Sequence, residues 1–206
     1  PYIHTALSGE THFSYPYLFE FEGNLYMIPE NYQSGELAIY QAKDKNSPDV
    51  WEKVSVVFPQ YQGVDPNIFF YNGYWWLFVT PYSLLHRDAE KKLEIFYTEN
   101  PIHGVWKKHA LSPVLYEKSI ARNGGRPFVH EGKLYRPTQN CMRTYGGELC
   151  LMEIDELTPE MFSEHEAAIL PGYAPYEKAF HTFSAEGNTA VIDGNAAEYS
   201  LEMPLH

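Results

Sequence analysis

The chain has 206 residues, of which 15 are basic and 27 acidic, for a net charge of −12 at neutral pH. That charge repels a phosphate backbone and no basic run offsets it, so nucleic acid is not expected as a partner. No stretch is apolar for long enough to span a bilayer as a helix. A chain of this length hides about 70% of its unfolded surface, enough for one domain, read here as residues 1–206.

Taken in chain order, the elements repeat. Over residues 12–58, Phe19 is followed four positions later by Gly23, then by a short apolar strand at 25–28, a third strand at 37–40, and Trp51 ahead of an outer strand at 54–57. Over 63–115 the same frame holds Phe69, Gly73, a strand at 75–78, another at 93–97, and Trp106 ahead of 108–111. Over 119–170 it holds Phe128, Gly132, a strand at 134–135, one at 149–154, and Phe162 ahead of 166–170, with 155–162 as at most one or two helical turns. Over 179–199 it holds Phe183, Gly187 and a strand at 189–192 before it fades near Tyr199.

Aromatic and β-branched runs favour strands, and a glycine in a polar doublet such as Glu22-Gly23 or Asn72-Gly73 supplies a hairpin turn. The anchoring phenylalanines are 50, 59 and 55 residues apart. That period, with an aromatic and a glycine at fixed places, predicts an all-β chain folded as a β-propeller of about four recognisable blades rather than a sandwich.

In a propeller the innermost strand of each blade starts beside the axis, so the residues just ahead of each phenylalanine converge on one funnel. These are 12–16, 64–67, 122–127 and 180–182. Seven residues after each glycine the second strand returns to that face and delivers Glu30, Thr80, Gln139 and Gly194. Glu30 and Asp65, brought together from adjacent blades, make the acidic pair a glycosidase uses, with Glu30 as general acid and Asp65 as base or as the group tuning its pKa. A non-catalytic glycan-binding module is the alternative. In that reading Tyr15, Trp76 and Tyr145 stack on sugars while Arg122, Arg126, Gln139 and His181 donate hydrogen bonds, with His12 at the funnel's edge. Plainer roles stand beside these: Asp65-Pro66 suits a turn, Glu30 after Pro29 suits a loop cap, Arg126 suits a structural ion pair, and most of the 17 tyrosines suit blade packing.

Other chemistries find no support. Asn123-Gly124-Gly125 lacks the lysine and helix of a phosphate loop. The nine histidines form no metal-ligand spacing, and Gly-x-Ser-x-Gly is absent. No metal or cofactor is expected, an axial calcium held by carboxylates and carbonyls being the one exception left open. Cys141 and Cys150 flank a connection between strands, and free thiols are favoured over a bridge. The start at Pro1, without methionine or a signal-like segment, reads as the edge of a processed or excised piece, and the compartment stays open.

Several ordered motifs resemble one family: the run from His12 to Phe19, Tyr26-Met27-Ile28-Pro29-Glu30, Asp65-Pro66, Trp75-Trp76-Leu77-Phe78, Gly104-Val105-Trp106, Ala121-Arg122 with Gly125-Arg126, Tyr135-Arg136-Pro137-Thr138-Gln139, Tyr145-Gly146 and His181-Thr182. It is the five-bladed, glycoside-hydrolase-like propeller found at the N-terminus of plant glucosamine inositolphosphorylceramide transferases and in bacterial polysaccharide-locus proteins, some with formyltransferase-like domains. More remotely the chain is similar to the furanosidase superfamily of glycoside hydrolases, including family 43. The resemblance implies a carbohydrate partner and three axial carboxylates from the first three blades. It also implies that the family's first blade, with the catalytic base, has no counterpart ahead of residue 12. Closure of the ring is then expected either within the chain, with residues 1–7 and 201–206 completing the last blade and a strand over 2–7 favoured, or from a second copy or a separate segment.

Overall fold

The computed structural model describes residues 5–82, 91–142, 147–174, 176, 179–186 and 189–195. Four antiparallel sheets follow one another along the chain. The first contains β1 (Ser14–Phe21), β2 (Asn24–Glu30), β3 (Leu37–Ala42) and β4 (Trp51–Phe58), hydrogen-bonded in chain order. The second contains β5 (Gly63–Tyr71), β6 (Tyr74–Pro81), β7 (Lys92–Thr98) and β8 (Lys107–Lys108), with β9 (Val114–Leu115) also pairing β7. The third contains β10 (Phe128–His130), β11 (Lys133–Asn140), β12 (Glu148–Leu157) and β13 (Phe162–Pro171), and the fourth, among the described residues, β14 (Phe183–Glu186) and β15 (Thr189–Ile192). Among the described residues this is an all-β propeller with three full blades and one two-stranded blade.

The repeated glycines do what the frame predicts. Glu22 and Gly23, Asn72 and Gly73, and Glu131 and Gly132 all have positive φ, and each pair forms the two-residue loop of a tight hairpin. Positive φ at both loop positions matches the right-handed twist of the flanking strands. A second repeated feature was not foreseen. Both β1 and β5 break register four residues ahead of their phenylalanine, where Tyr15 (φ 45°) and Asp65 (φ 50°) each precede a proline. Such a bulge turns one side chain out of the strand's alternation. Here it re-aims Tyr15 and Asp65.

Two apolar layers join the blades. Tyr17, Ile28, Leu37 and Ile39 pack against Ile68, Leu77 and Val79, and Phe69, Trp76, Phe78, Leu93 and Ile95 pack against Leu134, Ile154, Leu157 and Phe162. Trp76 is therefore not a sugar platform. It is fully buried, its indole N–H donates to the Tyr71 carbonyl at 2.9 Å, and its ring meets Tyr74, Tyr97 and His109.

Other expectations need adjusting. The outer strand expected at 108–111 ends at Lys108, because buried His109 bonds the Thr158 carbonyl at 2.7 Å and pulls the backbone toward the third blade. No helical turn occupies 155–162, since β12 runs on to Leu157 and reverses through a Thr158–Met161 contact. No disulfide joins Cys141 and Cys150. Residues 5–7 form no strand. The rest of the expected latch, the tail at 201–206, Gly187 and Tyr199 lie outside the described residues.

Candidate functional site

Glu30 ends β2, Asp65 sits on the β5 bulge, and Gln139 lies near the end of β11, so three blades deliver them to one face. Arg122 is placed by the segment ahead of β10, which runs beside β11 through Gln139 N–H to Arg122 carbonyl at 2.9 Å and Gly124 N–H to Pro137 carbonyl at 2.8 Å. The Arg122 Nε donates to Asp65 Oδ2 at 2.6 Å, and its Nη2 lies 3.8 Å from Glu30 Oε2. Gln139 Nε2 donates to the same Asp65 oxygen at 3.1 Å, and the Asp65 backbone N–H donates to Glu30 Oε2 at 3.2 Å. The two carboxyls thus share one guanidinium. Burial, then the Asp65 charge, push the Glu30 carboxyl up to about 7, with Arg122 opposing. Glu30 is 7% exposed and Asp65 2%.

Asparagines hold this cluster from behind. Asn123 Nδ2 donates to the Asp65 carbonyl at 2.7 Å and its Oδ1 accepts from Arg136 Nη1 at 3.2 Å. Arg136 is fully buried and pairs with Glu164 at 2.5 Å, so a third-blade ion pair fixes the segment that carries Arg122. Asn67 Oδ1 accepts from the Tyr15 hydroxyl at 3.0 Å while its Nδ2 donates to the Gly125 carbonyl at 2.7 Å. Burial, then the charge of Asp65, hold the Tyr15 phenol well above its usual range, so it stays a donor. Gln139 Oε1 is buried without a partner among the described residues. None of Asn67, Asn123 and Arg136 stood out in the sequence as a site residue; the positions of Asn67, two residues past Asp65, and of Asn123, next to Arg122, were the available signals.

The remaining candidates lie further out. His12 is exposed, and its backbone N–H donates to Gln33 Oε1 at 2.9 Å on the rim. Arg126 lines a cleft of about 270 Å³ between β1 and the β14–β15 hairpin, with Pro16, Leu18, Ser184 and Val191. His181 pairs with Asp193 of its own hairpin. Tyr145 lies outside the described residues. Among the described residues, the one grouping of metal-ligand type is Glu153, Asp155 and His165 on the third blade's outer strands, where Lys133 already sits 2.9 Å from Glu153. No helix among the described residues is long and apolar enough to cross a membrane.

The fold is shared with solved propellers of glycoside hydrolase family 43. The solved GH43 endo-arabinanase from Bacillus licheniformis superposes with a TM-score of 0.58 at 13% identity, over 89% of this chain and 65% of that one. The GH43B protein of the Bacteroides ovatus xyloglucan PUL gives 0.58 at 13%, over 92% and 36%. At such identities the likeness is one of fold. Kinship in sequence is closer to home: residues 2–182 match the family described as Glucosamine inositolphosphorylceramide transferase 1, N-terminal, and the chain belongs to it. The Glucosamine inositolphosphorylceramide transferase 1 of Oryza sativa subsp. japonica is 38% identical over 165 residues, 79% of this chain. The chain spans about a fifth of that relative's length, 22%.

Proposed function

We propose that the axial face of this propeller is a carbohydrate-binding site, with Glu30 and Arg122 meeting sugar hydroxyls and Asp65 and Gln139 orienting them from behind. The sharing of Arg122 by the two carboxyls carries this reading. Glycoside hydrolysis needs its carboxyl groups about 5–5.5 Å apart for retention or about 6.5–9.5 Å apart for inversion, with a sugar or a water between them. Glu30 and Asp65 instead lie on one guanidinium, at 3.8 and 2.6 Å, and the Asp65 backbone N–H donates to Glu30 Oε2, so an arginine rather than a sugar or water stands with both. Asp65 in this geometry is the neighbour that raises the proton affinity of Glu30, not an opposing base. The orphan Gln139 Oε1 adds a buried acceptor that a ligand hydroxyl would satisfy, worth about 1–3 kcal/mol if otherwise left bare. Sugar as the ligand is supported by kinship, since the fold neighbours include an arabinanase and the sequence relatives are named as glucosamine inositolphosphorylceramide transferases.

A hydrolase acting on a polysaccharide is the second reading, favoured by one observation: a carboxyl pushed up to about 7 is protonated at neutral pH, as a general acid must be. Its base would then come from outside the Glu30–Asp65 pair. Both readings are separated by assaying oligosaccharide binding and reducing-sugar release in parallel on the parent and on Glu30→Gln. Binding without release, weakened about tenfold or more by Glu30→Gln and by Arg122→Ala, is the expected result. Release that Glu30→Gln lowers by about 10²–10⁴ would replace the binding reading with the hydrolytic one.

A further inference from the structure

Two tyrosines at the rim of the axial face belong to neither apolar layer. Tyr32 opens the 3₁₀ turn that follows β2, two residues past Glu30, and Tyr82 follows β6, two residues past Thr80. Their rings stack with centroids 3.9 Å apart and planes 27° from parallel, which joins the strand ends of two adjacent blades. Tyr82 is held in place by its backbone N–H donating to the Gln62 carbonyl at 2.8 Å, three residues ahead of Asp65. Both side chains are half-buried. Tyr82 lies close enough to Glu30 and Arg122 to feel their charges.

The plain reading is that this pair ties blade one to blade two. That task is already done by the layer of Ile28, Leu37, Ile39, Ile68, Leu77 and Val79, to which Tyr15, Tyr17, Tyr26 and Tyr61 contribute but Tyr32 and Tyr82 do not. A near-parallel pair at this spacing admits nothing between its rings, so any ligand uses an outward ring face. Flat aromatic faces with polar tips suit the C–H face of a sugar, whose hydroxyls the tips can meet. Asn31, between Glu30 and Tyr32, has a buried Oδ1 with no partner among the described residues, and its side chain does not cap the turn that follows it. A hydrogen-bond acceptor therefore lies next in sequence to the platform and to the axial carboxyl.

We propose that Tyr32 and Tyr82 form an aromatic platform for the second sugar unit of an oligosaccharide whose first unit meets Glu30 and Arg122, with Asn31 accepting a hydroxyl between them. This rests on the carbohydrate reading of the axial site and extends it to a length requirement: the ligand has at least two units. Tyr32 and Tyr82 each stand two residues past an expected axial position, Glu30 and Thr80.

The test measures affinity for L-arabino-, D-xylo- and D-galacto-oligosaccharides of one to six units on the parent, Tyr32→Ala, Tyr82→Ala, the two Tyr→Phe variants and Glu30→Gln. The expected result is a gain in affinity from one unit to two, lost by about tenfold in either alanine variant and kept within about threefold in the phenylalanine variants, whose ring faces remain. Nitration by tetranitromethane on the unaltered protein supplies a second measurement that needs no variant to fold: the bound trisaccharide should protect Tyr32 and Tyr82. Parent-like affinity in both alanine variants, no binding of any sugar in the panel, or unprotected nitration would each overturn the platform. If Glu30→Gln binds like the parent while the alanine variants lose affinity, the axial reading fails and the platform stands by itself.

Discussion

Glu30 carries a consequence for stability as well as for binding. Its carboxyl is raised from an ordinary 4.5 to about 7, by burial first and by Asp65 second. Below pH 4.5 it is protonated in both the folded and the unfolded chain, and no stability is lost. Between about 4.5 and 7 the unfolded chain gives up this proton while the folded one keeps it, so stability falls as pH rises and levels off above 7. The loss is on the order of 3 kcal/mol. Glu30→Gln removes it. The melting temperature of that variant, minus that of the parent, should therefore climb between pH 4.5 and pH 7.5, and a difference that stays flat across that range would contradict the assignment. At this scale Glu30, Asp65 and Gln139 were legible because each stands at a fixed offset from a repeated glycine or phenylalanine. Trp76 was misread because the identity of an aromatic says nothing about which way a strand faces. Trp75 is partly buried and Trp76 fully so, and register alone decides between them. Asn67, Asn123 and Arg136 were hidden for a related reason, since their roles depend on partners 13 to 58 residues away.

Among the elements, the hairpins were the most readable and the joints between blades the least. Three tight turns and the strands that flank them follow from local pattern, because turn chemistry and alternation act over a few residues. The attachment of the fourth hairpin depends on a backbone approach that no local pattern encodes. Phe183 N–H donates to the Gly124 carbonyl at 2.7 Å, and a Cβ placed on Gly125 would lie 1.7 Å from the Phe183 carbonyl oxygen. Gly125 also has a φ of 138°, which an L side chain rarely adopts. Asn123-Gly124-Gly125 is thus a seat for β14, with Asn67 Nδ2 closing it from the second blade through the Gly125 carbonyl. Gly125→Ala should destabilise the protein by about 3 kcal/mol or more, through both the clash and the strain, and should loosen the Tyr15–Asn67 bond beside it. Thermal or urea melts of this variant within about 0.5 kcal/mol of the parent would show that the hairpin is seated some other way.

Over the whole molecule, stability is uneven in a direction that can be measured. Strand β6 crosses the interior with Trp76, Leu77, Phe78 and Val79 all fully buried between two apolar layers. Strand β15 has all four residues exposed, pairs among the described residues with β14 alone, and faces β1 across a cleft that Leu18 and Val191 leave partly open. Opening free energies follow buried contacts and shielded hydrogen bonds, so the fourth blade should open far more readily than the second. In native-state hydrogen exchange the amides paired between Phe183–Glu186 and Thr189–Ile192 should exchange on the order of 100-fold faster than those of Trp76 to Val79. Equal protection of the two hairpins in dilute protein would refute this gradient. Protection of β14, β15 and the β1 edge that grows with protein concentration would instead point to a second copy seated on the cleft. An exposed strand edge flanked by apolar side chains is a template for pairing, and covering it would lower the energy of both copies.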